Sequence, residues 1–263
     1  MKIRICANEP TTTRLSQHRT RAPTPHPIAR SNQPHVNSRQ HYPTSNAPKK
    51  RQLVAKPRIA ILGTGNMALA LGKSIMAAGH FIAYGSRRPE TKNDFHEAAG
   101  TESRIWGYQA AIDAGEIVII TLPYKEVAAT ARKFAESLSG KIVIDITNPF
   151  AAQPNNGQSG AQVTATAIGE DARVVAAFKT NFAATFEQPS DSTGEPREVH
   201  YAGDDEEAMT AVEELIKEIG FKPIDCGTLA EAVVLDHMVP LMIRLDATEH
   251  ASSHKSSWRI TAP

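Results

Sequence analysis

Beyond residue 57 the chain alternates short apolar runs with stretches in which apolar positions recur at helical spacing. This alternation predicts a parallel sheet covered by helices on both faces, because parallel strands need long crossover connections. The first run, residues 58–62, passes through a glycine turn into a helix over 66–78 that Gly79 stops, and a second strand is expected over 81–84. A polar helix is expected over 90–99 and a short one over 109–114. The run 116–122 is apolar without alternation through its middle, the mark of a strand buried on both faces. A helix over 124–138 then leads to a similar strand, 141–147. Both strands are followed closely by a proline, Pro123 and Pro149.

Residues 150–160, with Pro154, Asn155, Asn156, Gly157 and Gly160, read as a flexible connection. A helix over 161–168, a strand over 173–178, a loop over 188–196 and a strand over 199–202 follow. The acidic run Gly203-Asp204-Asp205-Glu206-Glu207 reads as a helix start with Asp204 as N-cap, rather than a carboxylate metal site. That helix covers 205–219, a strand covers 222–225, and the last helix covers 229–245. The expected fold is α/β, a Rossmann-like doubly wound, mostly parallel sheet over 57–245 with a small C-terminal helical extension. Residues 246–263 read as a loosely ordered polar tail. There is no internal repeat.

Composition changes this picture mainly at the N-terminus. Of 263 residues 41% are hydrophobic, enough for a core, and the formal charge of +1 is a cancellation. Residues 1–56 hold eleven Lys or Arg against one acid, Glu9, while the remainder is net acidic. Rich in Pro, Thr, Ser, Asn and His and without apolar periodicity, this basic segment is expected to be disordered and to have no function of its own. Pro23, Pro25, Pro27 and Pro34 oppose the amphipathic helix of a transit peptide, and no apolar stretch suited to a signal peptide follows Met1. No window approaches the roughly 18 apolar residues of a membrane span, so a soluble, cytoplasmic protein is expected, without nucleic acid or membrane as partner. Cys6 and Cys226 suggest neither a disulfide framework nor a metal site.

Candidate chemistry begins at Gly63-x-Gly65-x-x-Ala68. Gly63 permits the strand-to-helix turn, Gly65 lets a pyrophosphate approach backbone N–H groups, and Ala68 allows close helix packing. This is the dinucleotide motif in its required context. NAD recognition normally places an acid about 20 residues further on to bind ribose hydroxyls. Here Ser86, Arg87 and Arg88 stand instead, a hydroxyl and two guanidinium groups suited to a 2′-phosphate, which points to NADP. Ligands of such sheets lie across the carboxyl ends of the strands, so Leu122, Pro123 and Tyr124, and Asn148 with Pro149, are the next candidates. Asn148 would meet a carboxamide; Leu122 and Pro123 would wall a ring.

The histidines show no metal-ligand spacing. His80 reads as structural, and His237, beside Asp236, as a weaker candidate for the crevice. No nucleophile-base pair can be read from spacing, and Cys226 suits packing. No catalytic residue and no metal ligand are therefore assigned.

These residues together resemble the coenzyme F420-dependent NADP oxidoreductases, and the cytosolic domain of the six-transmembrane metalloreductases is similar. The resemblance covers about 57–245. Its residues are Gly63-Thr64-Gly65-Asn66, Gly79-His80, Gly85-Ser86-Arg87-Arg88, Thr121-Leu122-Pro123-Tyr124, Val174-Val175-x-Ala177-Phe178, Gly203-Asp204-Asp205 and Gly220-Phe221-Lys222-Pro223-Ile224-Asp225-x-Gly227-x-Leu229. It implies NADP(H) at Thr64, Gly65, Asn66 and Met67 and at Ser86 to Arg88, with a deazaflavin (coenzyme F420) or a flavin against the nicotinamide. Hydride transfer between the two rings needs placement and water exclusion, and no acid or base from the protein. The chain departs from the family at Phe178-Lys179-Thr180-Asn181, where relatives frequently carry Phe-Asn-Thr. Two other readings stand behind this one: a noncatalytic NADP(H)-binding regulator, and an imine or ketone reductase of the pyrroline-carboxylate reductase type. The apolar last helix suggests a homo-oligomer.

Overall fold

A computed structural model describes residues 56–100, 103–150, 157–251 and 253–261, all within one compact unit, Leu53–Pro263. The expectation of a disordered basic segment over 1–56 thus lies outside the described residues, Lys56 apart, as does most of the loop expected at 150–160.

The apolar runs form strands β1 (Ile59–Leu62), β2 (Ile82–Ser86), β3 (Arg104–Gly107), β4 (Ile117–Ile120), β5 (Ile142–Asp145), β6 (Arg173–Ala176), β7 (Glu198–Gly203) and β8 (Lys222–Asp225). They make one sheet in the order β3-β2-β1-β4-β5-β6-β7-β8. Every pairing is parallel except that of β6 with β7. The chain leaves β1 in one direction across the sheet and returns to β4 on its other side, so the topological switch point lies between them, beyond Leu62 and Ile120.

Helices α1 (Asn66–Ala77), α2 (Asn93–Ala99), α3 (Tyr108–Ala114), α4 (Tyr124–Lys133), α5 (Ala135–Leu138), α6 (Gly160–Ile168), α7 (Glu206–Glu218) and α8 (Ala232–Glu249) cover the sheet. Period two along β1 shows why both faces are dry: Ile59 and Ile61 pack with Leu71 and Ile75 of α1, while Ala60 and Leu62 pack with Ile112 of α3. Gly79, at φ +89, ends the first crossover.

Several boundaries differ from expectation. Strand β3 was not expected, because an edge strand with only Ile105 and Trp106 half-buried produces no apolar run. Residues 90–99 divide into a short 3₁₀ turn, Pro89–Thr91, and α2. The helix expected over 124–138 breaks at Phe134, whose backbone is not helical. Asp205, not Asp204, caps α7 by accepting from Ala208 N at 2.7 Å, while Asp204 accepts from Leu229 N at 2.9 Å.

The expected polar tail is also corrected. Helix α8 runs to Glu249, and Asp246 within it is buried and accepts from Ser253 Oγ at 3.1 Å, His254 N at 2.9 Å and Ser256 Oγ at 2.6 Å. Farther on, Arg197 holds Lys255 O and Ser257 Oγ at 2.8 Å each, and Glu198 accepts from Ile260 N at 2.8 Å. A polar sequence here signals hydrogen bonding to the body rather than looseness. Val234, Leu241, Ile243 and Leu245 of α8 are exposed. No helix among the described residues is long and apolar enough to cross a membrane.

Candidate functional site

The turn after β1 is held by its neighbour strand. Gly63 has φ +132, and a Cβ there would lie 2.3 Å from Thr121 Oγ1, which donates to Leu62 O at 2.8 Å. The turn therefore admits only glycine, for conformation and for space. At Gly65 the reason is different. A Cβ there meets nothing within 4 Å, so the position faces open crevice. Gly65 is the N-cap of α1 with no side-chain cap, and the first turn carries no acid. Unbonded N–H groups and the positive end of a 12-residue helix point at that space, a fit for the pyrophosphate of a dinucleotide.

Beside the turn, a cavity of about 370 Å³ is lined by Gly63, Thr64, Gly65, Ser86, Arg87, Arg88, Leu122 and Pro123, with Thr91, Lys92, Tyr108, Thr121 and Glu126. Ser86 is buried at the end of β2, and its Oγ accepts from Arg88 N at 3.2 Å, which leaves the hydroxyl hydrogen for another acceptor. Arg87 is 70% exposed in its side chain and pairs with Glu126 of α4 at 3.3 Å. Glu126 thus braces the guanidinium and also places an acid at the edge of a site suited to an anion. Burial raises the Tyr108 phenol above its ordinary range, with smaller opposed effects from Arg87 and Glu126, so the hydroxyl stays neutral as a donor.

A second cavity, about 910 Å³, adjoins the first through Thr121, Leu122 and Pro123, which line both. Asn66, Met67 and Asn148 line it, and its walls include Phe150, Phe178, Phe182, Met242 and Ile243. Asn148 is more restricted than expected. Its Nδ2 donates to Lys179 O at 3.1 Å, and its Oδ1 has no partner among the described residues. That bond uses one of the two amide hydrogens and leaves the other, so part of the donor capacity that the sequence suggested is taken up by the protein itself.

Lys179 has a structural explanation. Phe178 takes φ +56, rare for a non-glycine, and opens a tight turn closed by Asn181 N donating to Phe178 O at 3.3 Å. The turn drives Lys179 inward until it is 2% exposed. Its Nζ lies 2.9 Å from Asp236 Oδ1 and 3.9 Å from Asp145 Oδ1, and it donates to Thr147 O. The contact to Asp236 is an ion pair without well-aligned hydrogen-bond geometry, since that oxygen makes no hydrogen bond. Asp236 Oδ2 accepts from Gly160 N at 2.7 Å; Asp145 accepts from Thr147 N and Oγ1 at 2.7 Å and from Thr164 Oγ1 at 2.6 Å. One buried cation thus joins α8 and α6 to the ends of β5 and β6. None of this was legible from spacing.

The remaining candidates resolve differently. His237 is exposed and lines neither cavity, because the inward position on α8 belongs to its neighbour Asp236. His80 stands between Pro57 O, at 3.0 Å, and Glu218, at 2.5 Å, and lines neither cavity. Burial raises the Cys226 thiol, which agrees with packing. Among the described residues no group of three or more His, Cys, Asp or Glu is placed to hold a metal ion.

A glycine turn at the switch point of a doubly wound sheet, with a phosphate-sized recess on one side and a ring-sized cavity on the other, defines a dinucleotide-binding enzyme of the Rossmann-like class. Residues 58–149 match the model of the family described as NADP oxidoreductase, coenzyme F420-dependent. The chain is 32% identical to the F420-dependent NADP reductase of Methanocaldococcus jannaschii, over 72% of this chain and 92% of that one. It is 30% identical to Metalloreductase STEAP3 of Rattus norvegicus over 67% of this chain, but spans only 35% of that protein. A solved structure from Arthrobacter sp. FB24, provisionally named an F420-dependent NADP reductase, superimposes with a TM-score of 0.71 at 24% identity, covering 78% of this chain and all of that one. The protein belongs to the F420-dependent NADP reductase family, whose members are NADP-dependent oxidoreductases.

Proposed function

We propose that the protein transfers a hydride between NADP(H), bound across Gly63 to Met67, Ser86 to Arg88, Leu122, Pro123 and Asn148, and a deazaflavin of the coenzyme F420 type, with flavin as the less favoured acceptor. The observation that carries this reading is the 910 Å³ cavity beyond Asn148. It lies near the top of the roughly 300–1,000 Å³ range of small-molecule sites, more than a nicotinamide nucleoside fills, and its aromatic walls suit a second planar ring. A noncatalytic sensor of NADP(H) has no use for that space.

In this reading the bound rings supply hydride donor and acceptor carbons between them. The chain's residues position and exclude water. The α1 N-terminus holds the pyrophosphate, Ser86 and the arginines hold the 2′-phosphate, and Asn148 stands beside the carboxamide. Leu122 and Pro123 form the wall that both cavities share. The exposed apolar side chains of α8 support self-association as an accompanying property.

The test is to mix the purified protein with NADPH and, in turn, a deazaflavin, FMN and FAD, following nicotinamide oxidation. Oxidation with the deazaflavin is expected, faster than with either flavin. Tight NADPH binding without oxidation by any of the three would replace this reading with the sensor.

A further inference from the structure

The larger cavity is one-sided in charge. Among the described residues that line it there is no Asp or Glu, whereas Lys125, Lys179 and His254 all belong to its lining. The Lys179 ammonium is taken up by Asp236 and Thr147 O. The other two are free: Lys125 and His254 are exposed, and neither the ammonium nor either imidazole nitrogen has a hydrogen bond or ion pair among the described residues. An uncharged occupant seated against these groups would strip water from their N–H bonds and return no acceptor. An anionic group returns one.

His254 is the better placed of the two, because its backbone is fixed. It takes φ +54, rare for a residue with a side chain, and Asp246 Oδ2 accepts from its N–H at 2.9 Å. Its ring stands at 87° to that of Phe182, with centroids 5.3 Å apart, and Phe182 lines the same cavity. Along the carboxyl ends of the sheet the order runs β2, β1, β4, β5, β6, and Phe182 follows β6. A dinucleotide laid from Arg87 to Asn148 ends one strand short of it, with its phosphates at the far end, so an anion beside His254 belongs to the other molecule. We propose that His254, delivered by the segment after α8, determines acceptor specificity by donating a ring N–H to an anionic group, a phosphate or carboxylate, on the acceptor's side chain. This rests on the ring-acceptor reading above. An imidazole keeps at least one N–H in either charge state, so it donates with or without the charge.

The probes are 5-deazariboflavin and its 5′-phosphate, which differ only in that group. Binding is followed by probe fluorescence with NADP saturating, so that the phosphate cannot enter the dinucleotide's own site, and hydride transfer is followed with NADPH. In the unaltered protein the phosphate should lower Kd about tenfold, the lower end for a charged hydrogen bond because His254 is exposed. His254→Gly, which suits φ +54, should cut that ratio below about threefold, while Kd for NADPH and for the unphosphorylated probe stays within about twofold. His254→Asp, a residue type that also tolerates this backbone, should reverse the preference, and it keeps the test open if the glycine variant does not fold. A ratio below about threefold in the unaltered protein, with hydride transfer to both probes intact, overturns the role of His254 and leaves the proposed function standing. A ratio that stays above about threefold in either variant also overturns it, since Lys125 or another group would then read the anion. Equal weakening of both probes in His254→Gly does the same, because the ring would then act by packing on Phe182. Failure of both probes to bind or to oxidise NADPH removes both proposals.

Discussion

The two ends of the crevice are built on opposite principles. The proposed phosphate end, around Gly63, Gly65 and Arg87, is open, charged and made of residues that are near neighbours in the chain. The proposed acceptor end is apolar at its surface and rests on a buried charge cluster that joins Asp145 of β5, Thr164 of α6, Asp236 of α8 and Lys179 of the turn after β6. Binding a polyanion requires accessible donors that keep some solvation. Holding a flat ring against another requires a wall that does not move. The first end can be altered locally, whereas damage to the second spreads through the packing.

The largest expected effect is on the acceptor end. Lys179→Met leaves Asp236 buried without its cation and should destabilise the protein by about 3–5 kcal/mol, read as a fall in the denaturant midpoint. Adding Asp236→Asn should restore more than half of that loss, because the uncharged amide no longer needs a counter-ion. A double variant as unstable as the single one would mean that the lysine acts through packing alone.

Gly65→Ala should separate folding from binding. The backbone at Gly65, φ −103, suits any residue and no atom stands near the new methyl group, so thermal stability should stay within about 0.5 kcal/mol. Affinity for NADPH should fall by about 2 kcal/mol, some thirtyfold, because the methyl group occupies the pyrophosphate's approach. Gly63→Ala, which meets Thr121, should lose stability as well. Equilibrium binding and melting curves on both variants check the distinction.

Asp246 tests the acceptor end through pH. Burial pushes its carboxyl up, but hydrogen bonds from Ser256, the His254 N–H and Ser253 outweigh this and hold it at about 2. A lowered folded-state value means that the stabilisation is fully present above the unfolded value near 4 and is lost as pH falls toward 2. Asp246→Asn should therefore cost about 2 kcal/mol at neutral pH, with the difference from the unaltered protein shrinking between pH 4 and pH 2. Unfolding curves at several pH values show whether it does.

Smaller effects are expected at the phosphate end. Arg87→Ala should weaken NADPH by about 1–2 kcal/mol and NADH hardly at all, the lower part of the range for charged hydrogen bonds because the side chain is so exposed. Glu126→Gln should do the reverse and tighten NADPH by about 0.5 kcal/mol, as a charge that competes for the guanidinium is removed. Equal effects on both dinucleotides would withdraw the 2′-phosphate from Arg87.

The same contrast explains what the sequence could reveal. Strands β1, β4 and β5 are buried on both faces and show as apolar runs; the glycine turn and the arginines after β2 are contiguous motifs whose chemistry is local. Edge strand β3 left no run, and Tyr108 became a site residue only because β3 ends beside it. Asn181 and Asp236 carry no motif. Their roles depend on which backbone carbonyl and which cation the fold brings to them across long stretches of chain, as Glu198 and Lys179 do here. Lys179 was visible as a departure from the family pattern, but only three-dimensional packing shows that its ammonium ties Asp236 and Thr147 O together.

Helix α8 carries a proline at position 240, and a proline has no N–H to give to the carbonyl four residues before it, that of Asp236. The wall of the larger cavity is in effect a beam with a notch. One support is the Asp236 carboxylate against Lys179, the other the Asp246 carboxylate in its cage of hydroxyls, and Met242 and Ile243 lie on the span between them. The missing rung falls between the two fastenings, so the span that loses a helical hydrogen bond is the one that the carboxylates secure on either side.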